Sequence, residues 1–223
     1  MNRQTTHRGK RLAWVPLLML SFSISVAAAT PAASPKPGGY CPAPDILLVT
    51  AEELSASLDL AMGSRAALLH KDQVTASSEL TSVGTTLHLA ASRGEAARTI
   101  LLIDAIIQAK TADDYAQMLA WFPLLQTSLL TLPDDATVSA ASDWVGDAED
   151  ILRGEKEGDP ETSLKEARHM LACDGLDIPL QQAIAAQGKL MKQLSKNTKN
   201  SGYDSLLNSL RSALAYTLGN SEM

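Results

Sequence analysis

Few side chains in this sequence have the type and spacing that catalysis or metal binding requires. Three histidines follow residue 29, namely His70, His88 and His169, and no two are four residues apart as zinc ligands on one helical turn would be. His88 stands alone between two leucines. The sequence also contains no Gly-x-Ser-x-Gly nucleophile turn, glycine-rich phosphate loop or dinucleotide-binding fingerprint. These observations predict a protein that is not an enzyme and that has no cofactor or metal.

Three carboxylates, Asp143, Asp147 and Asp150, share one face of a predicted helix. They belong to residues 134–161, which contain ten acidic and two basic side chains. Carboxylates at this spacing could bind a divalent cation weakly, but the glycine turn of a calcium loop is missing. We interpret the segment as a solvated acidic face, and a patch for cations or basic ligands is the open alternative.

The two cysteines, Cys41 and Cys173, allow a single intramolecular pairing. In an oxidising compartment they predict a structural disulfide. Closing a loop of about 130 residues stabilises a fold by about 5 kcal/mol when only the entropy of the unfolded chain is counted. A redox-active pair or a haem site is not predicted, because the sequence has no Cys-x-x-Cys motif.

Large aromatic side chains are scarce, and three of them are candidates for a binding groove. These are Trp121, Phe122 and Trp144. Packing in the core is the usual role of such residues. Trp121 lies close to Pro123, which must break or kink a helix, and a side chain at such a break could line a ligand groove.

The first 29 residues have the layout of a secretory signal peptide. The first 11 contain four basic and no acidic side chains, residues 12–26 are mainly apolar, and three alanines follow. The apolar run of 15 residues is shorter than the roughly 20 that span a bilayer. We therefore predict cleavage after residue 29, a periplasmic location and no stable membrane insertion. The remaining chain has 15 basic and 25 acidic side chains, which argues against nucleic-acid binding.

The rest of the chain predicts one all-α domain over residues 50–219. Residues 30–49 are rich in proline and predict an extended leader held at Cys41. Thr50 and Glu53 have the spacing of a capping box, which predicts a helix over 51–69. Beyond it, apolar residues recur every three or four positions between short polar loops. This pattern is typical of an irregular bundle of antiparallel helical hairpins.

Three helix boundaries and one ambiguous segment complete the prediction. Asp134–Asp135 and Asp159–Pro160 predict helix starts, and Asp177 with Pro179 predicts another. The leucine-rich residues 124–132 are compatible with a helix or with a short buried strand, so a short strand pair near 120–132 is an alternative to helix there.

Four segments between residues 51 and 218 follow one another in the same order as similar segments in a known protein family. They are Leu60–Asp72 followed by Ala76 and Leu80, Ala120–Pro123, Gly158–Asp159 with Leu164 and Ala167, and Pro179–Leu180 with Ala185 and Leu190. In this order the chain resembles the YfdX family of exported, mostly helical bacterial proteins associated with stress responses. The resemblance implies a periplasmic helical domain, a homo-oligomer and a protective or chaperone-like role. It supplies no catalytic residues.

Together these features favour a non-enzymatic, stress-associated protein of the periplasm. Its expected partners are protein clients or a small apolar ligand, received by the grooves between helices. A helical scaffold that docks one defined partner, in the manner of tetratricopeptide proteins, is the second hypothesis. An enzyme or metal-binding protein that uses Trp121, His88 and the acidic helix is the third.

Overall fold

The computed structural model describes residues 34–109, 115–195 and 202–221. The regular elements in these ranges are α1 (Pro44–Leu69), α2 (Gln73–Ala91), α3 (Ala97–Gln108), α4 (Ala116–Leu119), α5 (Phe122–Leu129), α6 (Ala136–Arg153), α7 (Pro160–Met170), α8 (Asp174–Ser195) and α9 (Tyr203–Asn220). One isolated antiparallel bridge joins Gly39 to Cys173. The all-α prediction is confirmed. The predicted signal peptide lies outside the described residues.

Four helices form one bundle, which we call the outer bundle. α1 packs against α2 and α9, and α8 packs against the same two helices, so that the four close into a ring. Leucines from all four helices fill the interior, including Leu54, Leu80, Leu190 and Leu210, which are fully buried. The outer bundle therefore joins two stretches of chain that are far apart in sequence.

The middle of the chain forms a second core, which we call the middle pack. It comprises α3 to α7, with α6 against α7 and with α3 against α5 and α7. Ile103, Met118, Phe122, Leu125 and Leu164 are among its fully buried side chains. The middle pack is built from one continuous stretch of sequence.

Two helix starts in the middle pack are confirmed by their capping contacts. The carboxylate of Asp135 accepts hydrogen bonds from the backbone N–H groups of Thr137 and Val138, each at 2.8 Å. The carboxylate of Asp159 accepts from the N–H of Thr162 at 3.1 Å, and Pro160 follows as the first helical residue. Both aspartates satisfy backbone donors that have no partner within the helix.

The predicted start of the first helix is wrong. α1 begins at Pro44 and not at residue 51, because a proline at the first helical position loses no hydrogen bond. Thr50 lies inside the helix, where its hydroxyl donates to the carbonyl of Ile46 at 2.8 Å. The carboxylate of Glu53 pairs with Arg93 instead of capping the helix. The extended leader thus ends at Ala43.

Two further predictions are corrected. The strand pair near 120–132 does not form, because residues 122–129 are the helix α5 with Pro123 in its first turn. α8 begins at Asp174, three residues earlier than predicted, and Pro179 lies inside it. The carboxylate of Asp177 accepts from the N–H of Cys173 at 2.6 Å, which satisfies a backbone donor at this early start.

Candidate functional site

A short segment before α1, residues 36–41, crosses the corner between α7 and α8, and we call it the strap. The N–H of Gly38 donates to the carbonyl of His169 at 2.8 Å, and the N–H of Tyr40 donates to the carbonyl of Ala172 at 3.0 Å. The N–H of Asp174 donates back to the carbonyl of Gly38 at 2.9 Å. Gly38 has a φ of +69°, and a Cβ there would lie 2.2 Å from the Asp174 carboxylate, so glycine is required.

The strap is also fixed covalently. The sulfur atoms of Cys41 and Cys173 lie 2.08 Å apart and form a disulfide. The hydroxyl of Tyr216 lies 3.1 Å from the sulfur of Cys41 and 3.2 Å from that of Cys173. The predicted pairing of the two cysteines is therefore present, and it ties the start of α1 to the start of α8.

A cleft of about 320 Å³ lies beneath the strap, between the outer bundle and the middle pack. Both cysteines of the disulfide contribute to its wall. Most of the surface is apolar and comes from the ends or starts of α1, α2, α3, α7 and α8; it includes Ile46, Ala90, Ala97, Ile100, Leu101, Leu171 and Leu180. The cleft therefore offers alkyl contacts on several sides, with charged and polar side chains among them.

Two arginines line the cleft, and each is already matched by a carboxylate. Arg93, at the end of α2, donates to both carboxylate oxygens of Glu53, with its Nε 3.1 Å from Oε1. Arg168, on α7, donates from Nε to the Oδ1 of Asp104 on α3 at 2.8 Å. The second pair links two helices of the middle pack. Neither guanidinium contributes an unbalanced positive charge to the cleft.

Two ionisable groups of the cleft have raised pKa values. Burial, followed by the charges of Glu95 and Asp135, raises the pKa of the Tyr40 phenol to about 12. Burial is also the largest cause of the raised pKa of the Asp177 carboxyl, and the charges of Asp174 and Asp104 act in the same direction. The N–H of Cys173 and the charge of Arg168 oppose that shift. Both pKa values are shifted in the direction expected for a partly desolvated group near negative charges.

The raised pKa of Asp177 predicts a pH-dependent stability. The folded protein holds this proton more tightly than the unfolded chain does. Asp177 therefore stabilises the fold fully at a pH below about 4, its pKa in the unfolded chain, and this stabilisation is lost as the pH rises through the pKa in the folded protein. We expect Asp177→Asn to remove this dependence, since the amide oxygen can still accept from Cys173. Urea unfolding of both proteins between about pH 4 and pH 7 should show the wild type gaining stability over the variant as the pH falls. A difference that is constant with pH would contradict this assignment.

The three aromatic candidates do not meet in one groove. Phe122 is buried in the middle pack, and Trp144 is partly buried against the same core. The side chain of Trp121, just before α5, is 43% exposed. None of the three lines the cleft.

The other candidates lie on the surface. His70 and His88 are exposed, and His169 contacts Asp174 beside the strap, with Nε2 3.2 Å from Oδ2. On the acidic helix, Asp147 pairs with Lys156 at 2.6 Å. Within the described ranges, no group of three or more histidine, cysteine, aspartate or glutamate side chains is placed to hold a metal ion.

The polar residues of the cleft were not identified from the sequence. Asp104 and Arg168 are 64 positions apart, and Tyr40 lies in the leader that was interpreted as extended. No local spacing connects these residues, because the cleft forms only when the two cores meet. The pairing of the two cysteines was the one available signal, since it places Cys41 beside the end of α7.

Comparison of the chain with protein-family models, with curated proteins and with solved structures finds no match. The resemblance to the YfdX family stays a prediction. Among the described residues, no helix has the length and apolar character that crossing a membrane requires. The cleft has a volume and a mostly apolar wall of the kind found in ligand sites.

Proposed function

We propose that this protein is a non-catalytic binding protein that holds a small, mostly apolar ligand in the cleft. The supporting observation is the cleft itself, a cavity of about 320 Å³ with a mostly apolar wall that also carries charged and polar side chains. Small-molecule sites in proteins begin at about 300 Å³ and have this composition. The polar groups do not form a nucleophile and base pair: both arginines are held by carboxylates, and the Tyr40 phenol is neutral at ordinary pH, with its pKa raised further by burial.

The proposal includes export to the periplasm. The basic and apolar pattern of residues 1–29 supports a cleavable signal peptide. The disulfide between Cys41 and Cys173 supports an oxidising compartment, because cytoplasmic thiols are normally kept reduced. A protective role of the kind implied by the YfdX resemblance agrees with both features.

Binding of a neutral apolar dye, phenylnaphthylamine, tests the cleft directly. We expect saturable binding with one site per chain, followed by the rise in dye fluorescence. Leu101→Gln should weaken binding about fivefold, because it replaces half-buried alkyl surface in the cleft wall with an amide.

Leu124→Gln is the matched control for that variant. Leu124 and Leu101 are leucines of similar exposure, 50% and 54%, but Leu124 lies on α5 outside the cleft. The dye affinity of Leu124→Gln should equal that of the wild type. Absence of saturable binding by the wild type, or equal weakening in both variants, would contradict the cleft as the site.

Chaperone-like binding of unfolded clients is the second candidate function. It is favoured by apolar side chains that are exposed along α5 and just beyond both of its ends, namely Trp121, Leu124 and Leu130, the last of which is 87% exposed. Exposed apolar surface of this kind can receive an apolar segment of another protein.

The aggregation of reduced insulin, followed by light scattering, tests this second function. We expect the protein to suppress aggregation at a several-fold molar excess, Leu124→Gln to reduce the suppression and Leu101→Gln to leave it unchanged. This ranking is the reverse of the one expected for dye binding. No suppression by the wild type at that excess would remove the client-binding function. Suppression that depends on neither leucine would place the client-binding surface elsewhere.

A further inference from the structure

The charges of the cleft indicate which polar group its ligand carries. Four carboxylates and two guanidinium groups line the cleft. Arg93 is matched by Glu53, which lies just outside the lining, and Arg168 is matched by Asp104. Among the described residues, the other three carboxylates of the lining form no ion pair: Glu95, Asp135 and Asp177. The charge of Arg168 acts on Asp177, but the same guanidinium is paired with Asp104. A ligand that enters the cleft meets an excess of negative charge.

Asp177 is the best placed of these three carboxylates to bind a cation. Glu95 and Asp135 are exposed, whereas Asp177 is partly buried at the first turns of α8. Its Oδ2 accepts from the N–H of Cys173, which leaves Oδ1 to accept a second hydrogen bond. The attraction between two opposite charges is stronger where water is partly excluded. An ammonium group beside Asp177 is therefore favoured over one beside an exposed carboxylate.

Two ionisable groups of the cleft lie near these negative charges, which add to burial, the largest cause of both raised pKa values. The phenol of Tyr40 resists ionisation because of burial and because Glu95 and Asp135 lie near it. Burial raises the pKa of the Asp177 carboxyl, against the opposing effects of the Cys173 N–H and the charge of Arg168, and the charges of Asp174 and Asp104 act in the same direction as burial. A cationic ligand offsets the negative charge of the carboxylates near these two groups, and an anionic ligand adds to that charge.

We propose that the cleft selects an amphipathic organic cation, an amine with an aryl or alkyl body, over neutral and anionic molecules of the same shape. This inference rests on the proposed function of the cleft as a small-molecule site. The alkyl wall contacts the body of the ligand, and the ammonium group donates to the carboxylate of Asp177. The excess of carboxylates over guanidinium groups in the lining supplies the charge preference.

Three probes that share one naphthyl body test the inference by isothermal titration calorimetry at pH 7. Naphthylmethylamine carries a positive charge, naphthylmethanol is neutral and naphthoate carries a negative charge. We expect the amine to bind about tenfold more tightly than the alcohol and naphthoate to bind most weakly. An alcohol or carboxylate that binds as tightly as the amine overturns the charge preference and leaves the cleft as an apolar site. No binding of any probe overturns the charge preference together with the proposed function.

Variants of the carboxylates locate the cation. Asp177→Asn should bring the affinity for the amine close to that for the alcohol, and the affinity for the alcohol should not change. Glu95→Gln should have a smaller effect, because Glu95 is exposed. Asp143→Asn is the control, since Asp143 is an exposed carboxylate on α6 outside the cleft. A preference for the amine that persists in Asp177→Asn overturns the assignment of Asp177 as its partner.

Discussion

Replacing Cys41 and Cys173 with alanine is expected to lower the free energy of unfolding by about 3 to 5 kcal/mol. The disulfide joins residues that are 132 positions apart, so its loss returns a large amount of conformational freedom to the unfolded chain. Urea unfolding of the oxidised wild type and of the double alanine variant measures the difference as a shift of the midpoint at unchanged slope.

Reduction of the wild type provides the control for this prediction. In the presence of dithiothreitol, the wild type should unfold at nearly the same urea concentration as the double variant, because both lack the covalent link. The double variant itself should not respond to the reductant. A double variant that is as stable as the oxidised wild type would show that the strap and its backbone hydrogen bonds constrain the chain without the disulfide.

Gly175→Ala is expected to cost about 2 to 3 kcal/mol, an effect at the upper end of what overpacking produces. A Cβ at Gly175 would lie 2.0 Å from Cε2 of Tyr216, which is much closer than carbon atoms can approach. The ring of Tyr216 would have to move, and its hydroxyl would leave the two sulfur atoms that it contacts at 3.1 and 3.2 Å. Thermal or urea unfolding measures the loss.

Gly188→Ala is the matched control for this substitution, because Gly188 belongs to the same helix. A Cβ at Gly188 would meet no atom within 4 Å. Alanine restricts the unfolded chain and suits a helix better than glycine, so this variant should gain about 0.5 to 1 kcal/mol. The two substitutions should therefore have opposite signs. A loss of similar size in both would mean that the contact with Tyr216 does not determine the result at Gly175.

The general architecture followed from the sequence because helical spacing of apolar residues is a local signal. The starts at Asp135 and Asp159 were predicted for the same reason, since a capping carboxylate needs only the residues that follow it. The start of α1 was predicted wrongly, because the spacing of Thr50 and Glu53 that resembles a capping box also occurs inside helices. Contact of Leu47 and Thr50 with the interior of the outer bundle extends the helix back to Pro44.

Most residues of the candidate site could not be predicted from sequence patterns. The cleft brings together the strap, α3 and the corner between α7 and α8, and these parts are separated by dozens of residues. The residue type alone does not show which aromatic rings are buried by packing, and this applies to Trp121, Phe122 and Trp144. Phe122 is on the side of α5 that carries Leu125 and Leu129, so it enters the core, while Trp121 stays at the surface.

The discontinuity of the outer bundle sets an order of events during synthesis. α1 and α2 leave the ribosome first, and one apolar side of this hairpin has no cover until α8 and α9 have also been made. The middle pack, from Ala96 to Leu171, can meanwhile assemble from residues that emerge one after another. Cys173 follows directly behind it. Both cysteines are thus present in the chain when the middle pack is complete and before the outer bundle closes, and the bond between them forms once the chain reaches an oxidising compartment.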